Sequence, residues 1–255
     1  MQNVSTAPWF AEDGKRFTGN EPYFFNVDEF SWVPDLEANW EVIRDELLAM
    51  LENDNASLQP YPNAEMVSKK ENWKTFGFAF WNMRSSSNCQ KCPKTWDLLK
   101  NIPNLSTASF NLLEANTTIK PHHGDTNAII RCHMGLVVPA EKPSCAFRVG
   151  TETKSWQEGK FFMFCDAHEH TAWNNTQGKR YILVVDIVRP EFKEKEKYIS
   201  SAVLASINMA IFYQNSKLLN KFFDHKFGKK VIFIGLRCLI RLLMSLGFTQ
   251  LKVNK

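Results

Sequence analysis

Residues 128–138, Ala-Ile-Ile-Arg-Cys-His-Met-Gly-Leu-Val-Val, and residues 180–188, Arg-Tyr-Ile-Leu-Val-Val-Asp-Ile-Val, are short apolar runs rich in β-branched side chains, and they decide the fold. Similar runs stand around them, at Ala108 to Leu113, Ala146 to Val149, Thr153 to Trp156 and Phe161 to Cys165. Turn residues separate them: Asn116, Gly124, Pro139, Gly150, Gly159 and Gly178. Branched and aromatic side chains suit a pleated, half-buried surface, whereas glycine, proline and asparagine interrupt it. Strands at this spacing predict a β-sandwich or barrel closed by Arg189 and Pro190.

Working outward, Trp73 to Trp81 alternates as a further strand. Val33 to Asn53 reads as a helix opened by Pro34 and Asp35, with Leu36, Trp40, Ile43, Leu47, Leu48 and Leu51 at helical spacing. A shorter helical stretch surrounds Trp96 to Leu99. The class is therefore mainly β with flanking helices. Downstream, Glu191 to Lys197 alternates in charge, and Val231 to Phe248 is apolar with Arg237 and Arg241 inside it. Two arginines argue against a spanning helix. A basic amphipathic helix within 226–250 suits peripheral contact with a membrane surface, and equally packing on the body or on a second subunit. The expected organisation is a loose N-terminus (1–20), a folded domain (21–192) and a basic helical tail (193–255).

Of the 255 residues, 44% are hydrophobic and 23% charged, which excludes a disordered or collagen-like chain and suits one sizeable core. Charge is uneven: through Pro190 there are 19 basic and 23 acidic residues, and beyond it 12 and 4. That tail favours an anionic surface, a membrane leaflet before nucleic acid, so no nucleic-acid partner is expected. Met1 to Trp9 lacks the basic and apolar regions of a secretory signal, which points to the cytoplasm, with the tail suited to the inner face of a membrane. Six scattered cysteines do not form a secreted disulfide framework, and Cys89 and Cys92 lack the second pair that a structural zinc site needs.

Five of the six histidines, His122, His123, His133, His168 and His170, fall within 49 residues. Residues 121–127, Pro-His-His-Gly-Asp-Thr-Asn, and 166–170, Asp-Ala-His-Glu-His, each lie between predicted strands, at the loop mouths where a barrel assembles a metal site. Two imidazoles, with or without a carboxylate, leave coordination positions open and match a mononuclear non-haem iron(II) oxygenase. Arg180 shares a strand face with Ile182 and Val184. If that face lines the barrel, a permanent charge in an apolar cavity needs an anionic partner, and a ligand carboxylate held by the guanidinium fork is the natural one. Arg131 and His133 share a face of another strand and suit a second carboxylate. Together these residues read as a site for iron and a dicarboxylic oxo acid.

Residues 121–127, 131–136 (Arg-Cys-His-Met-Gly-Leu), 156–160 (Trp-Gln-Glu-Gly-Lys), 166–173 and 180–186 occur in one unbroken order. Together they resemble the aspartyl/asparaginyl β-hydroxylase family of iron(II)- and 2-oxoglutarate-dependent dioxygenases, from about Leu36 through Pro190. The resemblance implies a double-stranded β-helix (jelly roll, cupin-like) with its core at about 108–190, and leaves the tail outside. It implies His122 and His170 as metal ligands at the catalytic centre, Arg180 on the distal carboxylate of 2-oxoglutarate, and Arg131 and His133 at its proximal end. Asn111 stands where relatives often carry a serine, and its amide can donate a hydrogen bond there.

The carboxylate ligand stays open. One reading is a two-histidine site of His122 and His170, with Asp125 orienting a histidine or water. The other is a shifted triad of His123, Asp125 and His170. The ungapped Pro-His-x-Gly-x-Thr-Asn frame favours the first. The implied reaction hydroxylates a C–H bond of a peptidyl Asp or Asn side chain or of a lipid acyl chain, with 2-oxoglutarate converted to succinate, and the basic tail tilts the choice toward a membrane-proximal substrate. Two rivals are a noncatalytic jelly-roll binding module, which binds no iron, and a zinc-dependent hydrolase, which needs three protein ligands and has no use for the arginines. His123 and His168 read as structural, and Trp73, Trp81, Phe161, Phe162 and Phe164 as core. His225 stands alone.

Overall fold

Arg180–Val188 (β12) is buried along nearly its whole length, which is why its sequence runs continuously apolar instead of alternating. The computed structural model, which describes residues 7–11, 16–54, 57–215 and 226–247, places β12 inside an eight-stranded sheet. Its antiparallel neighbours are Leu105–Leu113 (β5) and Ile129–Val137 (β7). Beyond β7 lie Phe161–Phe164 (β10) and Phe24–Phe25 (β1), and beyond β5 lies Trp73–Phe80 (β3), which also pairs with Gln59–Pro60 (β2) and Met83–Arg84 (β4). A second sheet carries, in order, Thr117–His122 (β6), His170–Asn174 (β11), Cys145–Val149 (β8) and Glu152–Lys154 (β9). Two packed antiparallel sheets between which the chain repeatedly switches form a jelly roll. The large sheet also takes in β1, β2 and β3, so it reaches upstream of the expected 108–190 core.

The two faces of the large sheet enter different cores, as period-two alternation requires. Leu183, Val185, Ile187, Cys132, Met134 and Phe110 lie under the helices Val33–Ala38 (α1), Trp40–Asn53 (α2), Ser86–Lys91 (α3) and Pro93–Leu99 (α4), whose Leu36, Ile43, Leu47 and Leu99 complete the cluster. On the other face, Leu113, Ile182, Val184, Phe162 and Phe164 meet Ile119, Phe147 and Val149 of the small sheet. Each such burial contributes roughly 1.5–3 kcal/mol, so a strand buried on both sides is the natural centre of the fold. The single helix expected over 33–53 is broken at Asn39, whose side-chain amide donates to the Asp35 carbonyl at 2.8 Å. Cys89 and Cys92 are free, buried thiols that burial pushes up to about 11 and about 12.

The chain ends pack against this body. Trp9 donates its N–H to Asn127 Oδ1 at 2.7 Å, and Phe17 sits edge-on to His168, although the sequence pattern offers no element there. Residues 1–6 and 12–15 lie outside the described residues. After Pro190–Lys195, a 3-10 turn, Glu196–Asn215 (α5) closes a third core, in which Ile199, Val203 and Leu204 meet Trp81, Ala128, Ile129, Val188 and Phe192. The first tail helix is thus continuous with the body. Lys226–Ser245 (α6) lies along α5: Arg237 is 5.1 Å from the Tyr198 ring and Lys229 is 5.3 Å from the Tyr213 ring, which makes the pair antiparallel. No helix among the described residues is long and apolar enough to cross a membrane. His225 lies outside the described residues.

Candidate active site

His122 ends β6 and His170 begins β11, and the two are direct cross-strand partners with ring centroids 4.1 Å apart. The loops expected to carry them are therefore paired strand ends. Both imidazoles are fixed in the same way. Nδ1 of His122 lies 2.8 Å from the Lys120 carbonyl, and Nδ1 of His170 lies 2.8 Å from the His168 carbonyl. A carbonyl can only accept, so Nδ1 carries the proton and Nε2 is left with a free lone pair. Burial brings His122 down to about 4. Burial, then the neighbouring His122, holds His170 well below its ordinary value. Two neutral Nε2 donors side by side suit a first-row metal ion.

The carboxylate beside them is that of Asp166, which the sequence reading passed over. Its side chain is almost wholly buried, and Oδ1 lies 3.6 Å from His170 Nε2. A Cβ on Gly124 would collide with the Asp166 carboxylate, and the Gly124 N–H donates to the Asp166 carbonyl at 2.8 Å. Position 124 therefore has no room for a side chain, because Asp166 fills that space. Asp125 is exposed, and among the described residues it makes no hydrogen bond or ion pair to a histidine. His123 turns its Nδ1 to the Ala167 carbonyl at 3.1 Å, and His168 Nε2 lies 2.8 Å from the Glu21 carbonyl. No group of three or more His, Cys, Asp or Glu side chains among the described residues is placed to hold a metal ion, so the shifted triad of His123, Asp125 and His170 is not formed.

Cross-strand register explains what fixes Asp166. Arg131 lies opposite Asp186 on β12 and Phe164 on β10. Its Nε and Nη2 donate to the two Asp186 oxygens at 2.7 and 2.9 Å, and its Nη1 donates to Asp166 Oδ1 at 2.7 Å. Burial works against the guanidinium charge, but Asp166 and Asp186 hold its pKa above the ordinary range. Burial also pushes Asp166 up to about 7 against the pull of Arg131. Of the five N–H groups of Arg131, two remain for a ligand. The expected clamp is first of all the residue that orients Asp166.

A contiguous cluster of aromatic side chains runs inward from His170. Phe147 and Phe164 lie 5.8 and 5.5 Å from the His170 ring and 5.2 and 5.0 Å from the His133 ring. His133 in turn stacks toward Trp156 at 6.2 Å, and the Arg180 guanidinium lies 4.3 Å from the Trp156 ring. Arg180 is only 1% exposed. Its Nε and Nη1, with His133 Nδ1 and Trp156 Nε1, are buried side-chain polar atoms without a partner among the described residues. An unmet buried group costs roughly 1–3 kcal/mol, and more when charged, so four of them close together mark a place for a polar ligand. Burial brings Arg180 down to about 10, which leaves it a cation at neutral pH.

Asn111, opposite Ile182 and hence on the same face as Arg180, donates to Ser109 Oγ at 2.8 Å and accepts from Trp73 Nε1 at 3.1 Å. One of its N–H groups stays available. Phe162 and Phe164 belong to the same core as Phe147 and Trp156, while Phe161 and Trp81 belong to the other cores. This donor set suits a small anionic ligand held at Arg180.

The family described as Aspartyl/Asparaginyl beta-hydroxylase matches residues 37–190. The ornithine lipid ester-linked acyl 2-hydroxylase of Rhizobium tropici is 34% identical over 197 residues, covering 76% of this chain and 68% of that protein. The human aspartyl/asparaginyl beta-hydroxylase is 35% identical over 170 residues, or 65% of this chain, which spans only 22% of that protein. Among solved structures, a Pseudomonas putida prolyl-4-hydroxylase aligns with a TM-score of 0.41 at 12% identity, over 66% of this chain and 90% of that one.

Proposed function

Because the chain belongs to the aspartyl/asparaginyl β-hydroxylase family, we propose that it is an iron(II)- and 2-oxoglutarate-dependent dioxygenase. It hydroxylates a C–H bond of a lipid acyl chain or of a peptidyl aspartyl or asparaginyl side chain, the substrate classes named for its relatives, and converts 2-oxoglutarate and oxygen to succinate and carbon dioxide. The observation that carries the reading is the cationic, buried Arg180, whose Nε and Nη1 have no partner among the described residues, in the same core as the aromatic side chains that adjoin the two neutral imidazoles.

His122 and His170 would hold iron through Nε2, and the metal supplies the oxygen activation that no side chain can. The remaining work falls to the protein. Arg180 grips the distal carboxylate of the cosubstrate with two parallel donors, and the spare Asn111 amide hydrogen supports it. His133 and the unused Arg131 donors face the proximal end. Phe147, Phe162, Phe164 and Trp156 exclude water, which strengthens each of these contacts. Asp166, held by Arg131, places a carboxylate beside His170.

The test is oxygen-dependent formation of succinate from 2-oxoglutarate by protein purified anaerobically and loaded with iron. His122→Ala and His170→Ala should each reduce turnover by at least about a hundredfold, and unchanged turnover in both would overturn the assignment. A noncatalytic binding module forms no succinate in any arm. A zinc hydrolase requires three protein ligands, and no such cluster occurs among the described residues.

A further inference from the structure

Among the described residues, eight of the eleven exposed large hydrophobic side chains lie on the α5–α6 hairpin: Ile211 and Phe212 on α5, Val231, Ile234, Leu239, Leu242 and Leu243 on α6, and Leu246 in the turn just after it. One face of α6 is already used, since Ile240 joins the third core and Met244 is buried. The opposite face is apolar and uncovered, with Leu242 56% and Leu246 65% exposed. A patch of this kind, rimmed by charge, marks an interaction surface. The rim is of one sign: Lys230 and Arg241 are exposed beside the apolar row, and α6 contains no acidic residue. From Tyr198 to Lys255 the sequence holds nine basic residues and one acidic residue.

We propose that α6 docks the protein on an anionic lipid bilayer, lying in the interface with its exposed leucines in the acyl boundary and Lys230 and Arg241 among the head groups. An amphipathic helix gains from both terms at such a surface. The helix does not span, because its other face is committed to α5 and five basic residues interrupt it. A second copy of the chain is the poorer occupant. A two-fold interface brings the same patch together, so Lys230 and Arg241 would meet their own copies with no carboxylate on α6 to pair with.

The hairpin is seated on Ala128, Ile129 and Val188, directly after the 123–127 loop that follows His122 and two residues along β7 from Arg131. Docking therefore brings the membrane to the end of the barrel where the histidine pair lies. Resting on the hydroxylase reading, this narrows the substrate to a membrane lipid.

The experiment is flotation of the full chain with vesicles of phosphatidylcholine alone and of phosphatidylcholine with one-third phosphatidylglycerol. Wild-type protein should float with the anionic vesicles and at least about tenfold less with the neutral ones. The triple variant L239S/L242S/L246S should lose about tenfold of the anionic binding. The charge variant K230E/R241E should lose the preference for anionic vesicles. All these side chains are exposed, so melting temperature and 2-oxoglutarate binding should stay at wild-type values. Equal binding to both vesicle types, or undiminished binding by the triple variant, overturns the proposal. So does a dimer by light scattering that the triple variant dissociates while wild type ignores vesicles. Succinate formation is measured separately: a protein that floats without turning over 2-oxoglutarate keeps the docking surface and loses the hydroxylase reading, and the converse holds.

Discussion

Replacing Arg180 with Met separates a ligand receptor from a structural ion pair. Burial lowers the Arg180 pKa from 12.5 to about 10, a shift that corresponds to roughly 3 kcal/mol against the charged form at neutral pH. The Trp156 ring at 4.3 Å returns about 2 kcal/mol through the cation–π contact. The balance is a net cost of roughly 1 kcal/mol in the ligand-free protein, and methionine removes the charge while keeping aliphatic contact with Trp156. In a chain of this size Arg180→Met should therefore raise the melting temperature by about 2–4 °C.

Added 2-oxoglutarate should do the opposite to the two proteins. At about a hundred times its dissociation constant it stabilises wild type by roughly 2.7 kcal/mol, and it should leave the variant unmoved. Differential scanning fluorimetry under argon, with manganese(II) in place of iron and with and without 2-oxoglutarate, reads both effects. If Arg180 were instead half of a satisfied ion pair, its loss would cost roughly 3–5 kcal/mol, a shift of opposite sign. A variant that melts well below wild type, or that still responds fully to 2-oxoglutarate, refutes the reasoning.

Asp186→Asn is the counterpart: it breaks the bidentate pair with Arg131, so it should destabilise the protein by roughly 3–5 kcal/mol, and a urea midpoint within error of wild type would show that the pair is dispensable. Gly124→Ala puts a methyl group into the space of the Asp166 carboxylate, and calorimetry should show weaker manganese binding by about tenfold with about 1–3 kcal/mol lost in stability. Unchanged metal affinity would mean that Asp166 can leave at no cost to the site. Cys89, Cys92 and Cys165 have thiols raised by burial to about 11, 12 and 12, while Cys238 is exposed. At pH 8 Ellman's reagent should accordingly label one thiol quickly in the native protein and all six in guanidinium. Because the folded-state values lie above those of the unfolded thiols, stability should be intact below about pH 9 and decline as the pH rises beyond it, which urea midpoints at pH 8 and 10 test.

The legible parts of the molecule were those whose reason is local. Residues 180–188 announce a buried strand because both faces are apolar, and Arg180 stands out because a charge opens that run. His122 and His170 were legible as chemistry but not as strand residues. Thr-Thr-Ile-Lys-Pro-His and His-Thr-Ala-Trp-Asn carry too many polar groups for their pattern to signal strands, since these two strands pair in order to juxtapose donors as well as to fill a core. Asp166 was missed because its partner Arg131 lies 35 residues away, and register between distant strands leaves no local mark. The break at Asn39 likewise depends on a side-chain bond to the Asp35 carbonyl that helical periodicity does not report.

Register also explains how one sheet gives two arginines opposite fates. Arg131 and Arg180 belong to adjacent strands and face the same interior, Arg180 buried and Arg131 partly so. The pairing of β7 with β12 sets Asp186 across from Arg131, and Asp166 follows two residues after Phe164, the other cross-strand partner of Arg131. At the opposite end of β12 the residue across from Arg180 is Leu113, and the wall beside it is Trp156. The first guanidinium is neutralised by the fold and becomes part of its frame. The second is left with its charge unmet, at a cost small enough for the fold to carry and large enough to reward an anion. A carboxylate placed across from Arg180, as in Leu113→Glu, should convert the second case into the first: the variant should keep its fold, gain a buried pair and lose the thermal response to 2-oxoglutarate. If the response survives that substitution, the anion binds elsewhere and Arg180 is not its receptor.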